Sequence, residues 1–383
     1  TFQMLSRLST NYAVRRTRRA KVQRRSYAQK HNNQKVVAVL YKGGSAAQEQ
    51  PKLLAAAENE LGLRPFLEGR GHSLKTMTDK GAALDAELPD TDILITTPFH
   101  PAYVTAERIA SAKNLKLVVT AGVGSDHVDL DAACKANVTV AEVTGCNVVS
   151  VAEHVVMQIL ALVRNYIPAY KQVINGEWDV AQIAKNAYDL EGKVVGTVGA
   201  GRIGLRVLER LKPFDVKLLY SDYQKLPADV EASVGAEYRD LKQMLSECDV
   251  VTINCPLTTE TDEFYDKNLL QHMKKGAWLV NTARGKIIKR DDLVEAVNSG
   301  HLAGYAGDVW YPQPAPADHP WRQMPNHALT PHYSGTTLDA QARYAAGSED
   351  IIKNFLDDTP IKPEDLIVQG GEIVSPSYNR SKV

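Results

Sequence analysis

The chain has 383 residues, 44% of them hydrophobic and 23% charged, and its 45 basic side chains balance its 45 acidic ones. That length accommodates two domains with separate cores, and no apolar run approaches the roughly 18 residues of a membrane-spanning helix. Cys134, Cys146, Cys248 and Cys255 form no C-x-x-C pair and have no metal-type spacing with histidine, so they read as reduced intracellular thiols, with no metal centre.

The balanced net charge hides an uneven distribution. Residues 1–27 carry eight basic side chains (Arg7, Arg15, Arg16, Arg18, Arg19, Lys21, Arg24, Arg25) and no acid; the first acid is Glu49. An acid-free segment of Arg, Ser and Thr has the composition of a mitochondrial transit peptide. Arg25-Ser26-Tyr27-Ala28 resembles a matrix-protease site with the cut after Tyr27. The alternative is a solvated basic tail or a nucleic-acid arm on a cytoplasmic protein. Beyond it, nothing points to a nucleic-acid or membrane partner.

From Lys35 onward strands and helices alternate. Lys35–Tyr41 (KVVAVLY) is a β-branched run closed by Gly43-Gly44 and reads as a strand. A helix is expected over 51–62. Asp92–Thr97 (DILITT) and Leu115–Ala121 (LKLVVTA) read as buried parallel strands. Ser150-x-x-Glu153 has the spacing of a capping box, so a helix is expected to start there and run to about Arg164. It is apolar on most faces and must be buried between domains or subunits.

Further strands are expected at Lys193–Val198, Val216–Tyr220, 249–254, 277–281 and 303–308. The fold class is α/β: two Rossmann-like, doubly wound parallel-sheet domains. Residues 149–335 form the domain inserted into the other, which comprises 28–148 and 336–383.

Strand 193–198 runs into Gly199-Ala200-Gly201-Arg202-Ile203-Gly204, a helix follows, and the next strand ends at Asp222, 23 residues after Gly199. A lone G-x-G-x-x-G is a weak signal, but strand, helix and distal acid together make a dinucleotide site. Gly199 permits the turn, Gly201 lets backbone approach a pyrophosphate, and Gly204 lets helix and strand pack closely. The helix N-terminus favours phosphate. Asp222 can accept both adenosine ribose hydroxyls and would repel a 2′-phosphate, which favours NAD over NADP.

Several other stretches carry a resemblance: TTPFHPAY (96–103), AGVGSDHVDL (121–130), NVVSVAEHV (147–155), NTARG (281–285), GDVWYPQPAP (307–316) and TPHYSGTTLDAQ (330–341). With the dinucleotide motif they resemble the NAD-dependent formate dehydrogenases of the D-2-hydroxyacid dehydrogenase superfamily. The resemblance implies a homodimer with the 150–164 helix at its interface, and formate as substrate in a cleft between the domains.

It also implies residue roles. Arg284 would hold the formate carboxylate with a planar guanidinium fork, Asn147 would bond the other oxygen through its amide N–H₂, and Val123 would approach through its main-chain N–H. Pro98 and Phe99 would form an apolar wall that excludes a carbon substituent; plain core is the other reading of Phe99. His332 would stand beside formate and nicotinamide. In hydroxyacid dehydrogenases its partner is a glutamate that makes it a base; here that position is Gln313, which suits a reaction releasing no hydroxyl proton.

Arg202 and Ile203 would contact the pyrophosphate and Val148 the cofactor beside Asn147. Pro256 and Leu257 would cover the adenine side, with Thr258, Thr259 and Glu260 next in the contact set. Thr258 departs from the histidine expected after Pro-Leu. Thr282, Asp308, Tyr333, Ser334 and Gly335 would surround the nicotinamide end, with Asp308 on the carboxamide. The rival readings are a glyoxylate or hydroxypyruvate reductase of the same fold and a non-catalytic NAD-sensing protein.

Overall fold

The computed structural model describes residues 33–378; the basic segment read as a transit peptide lies outside them. Short runs of Val, Ile and Leu form the strands. In Ile93–Thr96 and Leu117–Thr120 every residue is buried, as a parallel sheet covered on both faces requires. Each fully buried Leu or Ile contributes roughly 1.5–3 kcal/mol relative to exposure.

The first sheet contains β1 (Lys35–Val39), β2 (Ser73–Met77), β3 (Ile93–Thr96), β4 (Leu117–Thr120) and β5 (Thr139–Glu142), parallel in the order β2-β1-β3-β4-β5. The chain then builds a second sheet from β6 (Val194–Val198), β7 (Lys217–Ser221), β8 (Ala236–Tyr238), β9 (Val250–Ile253), β10 (Ala277–Asn281), β11 (Leu302–Gly307) and β12 (His327–Leu329). All are parallel, ordered β8-β7-β6-β9-β10-β11-β12. It finally returns to the first sheet, where β13 (Leu366–Gln369) pairs antiparallel with β5 and β14 (Glu372–Ile373) with β13. The second α/β unit therefore interrupts the first, and each sheet reverses its strand order in the middle, where open α/β sheets form ligand crevices.

Helix α1 (Val148–Val163) makes the crossing between the two units. Its Val151, Val155, Ile159 and Leu162 share a core with Val207, Leu208 and Leu211 of a helix further along the chain. After α2 (Tyr166–Ile174) comes that helix, α3 (Arg202–Leu211), which follows the glycine motif directly. Helix α4 (Leu338–Leu356) makes the return, burying Ala340, Tyr344, Ile351 and Ile352 against β1, β3 and β4.

Two expectations are corrected. Residues 51–62 are mostly turns: a short helix, Ser45–Glu49, ends at Gln50 in extended conformation, as the residue before Pro51 prefers. Glu60 and Leu61 then adopt positive φ, and Ala56 bridges to Tyr41. The capping box does not form either. Helix α1 starts at Val148 with Asn147 as its N-cap residue, and Ser150 lies inside the helix, its Oγ bonded to Thr337 Oγ1 at 2.9 Å. Tertiary contact outweighs the local cap.

Candidate active site

A cavity of ≈ 230 Å³ lies between the two units, walled by the residues that follow the C-terminal ends of β3, β4, β5, β6, β9 and β10. Both crevices therefore open into one cleft.

On the second unit, the glycine motif supplies the wall. Gly199 has φ +92° and its N–H bonds the Ser221 carbonyl at 2.9 Å, tying β6 to the end of β7. A Cβ on Gly204 would run into the Gly199 carbonyl oxygen, so helix and turn touch backbone to backbone. Around Gly201 the space a Cβ would take is free of protein atoms within 4 Å, which leaves the backbone open to the cleft. Asp222 is oriented by two main-chain donors, Ala200 N–H on Oδ2 and Tyr223 N–H on Oδ1, each at 2.7 Å. This cradle fits a dinucleotide.

Arg284 follows β10 in a tight turn in which Asn281 bonds the Arg284 carbonyl and the Ala283 N–H. Its Nε donates to Asp126 Oδ1 at 2.7 Å, Nη1 to the Ala283 carbonyl at 2.7 Å and Nη2 to the Val123 carbonyl at 3.3 Å. Burial is the largest single influence and would lower its pKa, but the charge and hydrogen bond of Asp126, together with Tyr378 and Glu142, outweigh it and the net direction is upward. Burial is likewise the largest influence on Asp126 and pushes it up, but the Arg284 charge and hydrogen bond, with His127 and a main-chain N–H, together bring it below the usual carboxylate value. The guanidinium is thus a fixed, permanently charged group at the cleft wall. Val123 meets it through its carbonyl.

His332 sits at φ +54°, held by Asp308, whose carboxylate accepts the N–H groups of Tyr333 (3.0 Å) and Ser334 (2.8 Å) and the Thr330 hydroxyl (2.6 Å). Gln313 Nε2 donates to the Phe99 carbonyl at 3.0 Å, which turns Oε1 toward His332 Nδ1 at 2.8 Å. An amide oxygen only accepts, so Nδ1 carries the proton. Burial, reinforced by Arg284 against the pull of Asp308, lowers the His332 pKa to about 4. At neutral pH the ring is uncharged.

Residues 156–334 match the model of the D-isomer specific 2-hydroxyacid dehydrogenase NAD binding domain. A formate dehydrogenase of Neurospora crassa is 60% identical over 357 residues, covering 90% of this chain and 95% of that one. The chain belongs to the formate dehydrogenase family. A mitochondrial formate dehydrogenase of Solanum tuberosum is 56% identical, covering 90% of this chain and 91% of its own. The NAD complex of the Staphylococcus aureus enzyme superposes with a TM-score of 0.82 at 50% identity, covering 87% of this chain and 99% of that one.

Within this family frame, the cleft gathers most of the residues singled out in the sequence: Pro98, Phe99, Val123, Asn147, Val148, Gly201, Arg202, Ile203, Pro256, Leu257, Thr282, Arg284, His332, Ser334 and Gly335 all line it. Asn147 is buried and its amide oxygen has no protein partner. Phe99 is both wall and core, packing on Tyr41 and Tyr344. Gln313 stands behind His332, in the adjoining cavities. Asp308 is fully buried beneath the site. Tyr333 lies outward, edge-on to His154. Thr258 is spent in its own turn, its N–H on Thr261 Oγ1 at 2.8 Å, and Thr259 and Glu260 are exposed.

Sequence reasoning overlooked Asp126, Gly124, Glu142 and Tyr378, all at the cleft. Asp126 lay in plain view within AGVGSDHVDL, and an acid is what a half-buried Arg needs. For Tyr378 no sequence signal exists.

Proposed function

We propose that this chain oxidises formate to CO₂ with NAD⁺ as hydride acceptor. The observation that carries the reading is the His332–Gln313 pair: a neutral imidazole fixed by an amide at 2.8 Å, where a hydroxyacid dehydrogenase needs a carboxylate-assisted base. Formate oxidation moves a hydride and releases no hydroxyl proton, so the amide suffices.

NAD⁺, when bound, supplies the ring carbon that takes the hydride. The turn at Gly201 and the N-terminus of α3 would hold its phosphates, Asp222 would accept from the ribose hydroxyls, and Thr282, Ser334 and Gly335, with Asp308 beneath them, would flank the other end. Arg284 presents a rigid fork to the formate carboxylate while the Asn147 amide engages its second oxygen. Pro98 and Phe99 leave no room for a substituent on the formate carbon, and His332 forms the polar wall opposite. The C–H bond breaks with both electrons leaving as hydride; an oxygen lone pair becomes the second C=O bond. Negative charge leaves the carboxylate as CO₂ forms, so Arg284 binds the ground state at least as strongly as the transition state. Its contribution is therefore orientation of the carbon.

NADH formation with formate and none with glycerate or glyoxylate-type substrates tests the reading; turnover of the hydroxyacid instead would overturn it. A second copy of the chain as partner is supported by the apolar surface of α2 and the segment after it, where Tyr166, Ile174 and Trp178 are exposed, the last by 83%; mass measurement in solution by light scattering tests it. A matrix location, with removal of the segment through Tyr27, rests on the basic N-terminus and is tested by sequencing the N-terminus of native protein.

A further inference from the structure

The loop from Gly122 to Asp126 sets the position of Arg284. Two of the three groups that hold the guanidinium, the Val123 carbonyl and the Asp126 carboxylate, belong to it. Gly124 lies flush against the guanidinium, and a Cβ there would fall on Nη2. Wherever this loop sits, the carboxylate anchor sits.

The loop is tied down on its far side by two residues with no role so far. Glu142 Oε2 accepts the Gly124 N–H at 2.9 Å and the Ser125 hydroxyl at 2.9 Å. Tyr378 Oη accepts the Ser125 N–H at 2.7 Å and lies 3.4 Å from Glu142 Oε2, to which its own proton is directed. Tyr378 comes from the segment after β14, 253 residues away in the chain from Ser125. Its ring packs against the apolar cluster containing Val118, Val128 and Val140.

We propose that Tyr378 is a positioning residue for substrate: its hydroxyl, bridging Ser125 and Glu142, locks the Gly122–Asp126 loop and through it the Arg284 guanidinium. This rests on the formate reading of the cleft. The C-terminal segment is then part of the substrate anchor, although it need not touch substrate. Without the hydroxyl, the Ser125 N–H loses its partner in a buried setting and Glu142 loses a donor. A buried unsatisfied pair relaxes by moving, and the movable element is the loop.

Tyr378→Phe keeps the ring packing and removes the bridge. In the expected result the KM for formate and the Kd of azide, a small anion measured by calorimetry on the NAD⁺ complex, both rise by at least about tenfold, while KM for NAD⁺ stays within about twofold and the melting temperature nearly holds. Glu142→Gln, near-isosteric but a weaker acceptor, gives the same split and carries the test if the phenylalanine variant does not fold. Unchanged formate KM and azide Kd would overturn the proposal, as would an equal rise in the KM for NAD⁺, which would place the segment on the cofactor side. A wild-type protein inactive on formate would instead sink the functional reading, and the azide arm stands apart from turnover.

Discussion

Arg284 is clamped by three acceptors on three sides, and this makes shape as important as charge. A lysine retains the charge but cannot reach Asp126, Val123 and Ala283 at once, and its point charge leaves the substrate carboxylate free to swing. Misplacement near 1 Å can cost on the order of 100-fold. Arg284→Lys is therefore expected to lower kcat by at least about 100-fold with NAD⁺ affinity nearly intact, by steady-state kinetics and calorimetry. Gln313 sets the tautomer of His332, its amide oxygen accepting from Nδ1. With a carboxylate in its place, Coulomb attraction favours the imidazolium and raises a pKa that burial otherwise lowers to about 4. Gln313→Glu should introduce an inflection in kcat/KM at neutral pH where the wild type is flat; a flat mutant profile would remove Gln313 from that role. If Asp222 selects the cofactor through charge repulsion, Asp222→Ser should narrow the NAD⁺/NADP⁺ ratio of kcat/KM by at least about tenfold, or roughly 1.4 kcal/mol. An unchanged ratio would place the discrimination elsewhere.

At the scale of elements, the strand–turn–helix from β6 to α3 separates two uses of glycine that look alike in sequence. Gly204 is needed for packing, because any Cβ meets the Gly199 carbonyl; Gly201 borders open cleft. Gly204→Ala should lower the melting temperature of the cofactor-free protein, with loss of NAD⁺ binding as a consequence. Gly201→Ala should leave that melting temperature unchanged and still weaken NAD⁺ binding, since its methyl occupies ligand space. Calorimetric melting and titration of both variants distinguish the cases, and equal behaviour would contradict the division. The start of α1 shows a related competition. Ser150 and Glu153 match a capping pattern, yet Ser150 bonds Thr337 and Arg343 while Glu153 pairs with Arg210. Helix entry is instead set where the chain leaves the first sheet, at Asn147.

At the scale of the whole molecule, burial lowers the pKa of six histidines among the described residues. His127 and His332 are pushed down to about 4 and His100, His154, His319 and His327 are also lowered, burial being the first cause in each. Their pKa values in the unfolded chain lie near 6.5, so as pH falls from there the unfolded state takes up protons first. The stability they allow is complete above pH 6.5 and is lost toward pH 4. Glu142 and Asp365, raised by burial, act in the opposite sense, but two carboxyls face six imidazoles. The melting temperature should fall between pH 7 and pH 5; a constant or rising value would mean that other carboxylates dominate. Cys146 and Cys248, pushed up to about 12 chiefly by burial, remain protonated and inert across this range.

Local pattern and spacing were enough for the α/β class, the nested order of the two units, the dinucleotide turn and, through the resemblance, most of the cleft wall. These features depend on periodicity, turn chemistry and short motifs, which act within a few residues. Short or marginal strands such as β2, β8 and β14 were not legible, because pairing partners rather than their own composition stabilise them. Residues 51–62 lost their helix to Pro51 and to the bridge between Ala56 and Tyr41. Only the folded chain could bring Tyr378 to Ser125, Asp126 to Arg284 and Gln313 to the Phe99 carbonyl. Each of these contacts joins segments far apart in sequence, and what selects them is the need of a buried charge or N–H for a partner, which depends on three-dimensional surroundings that no local window contains.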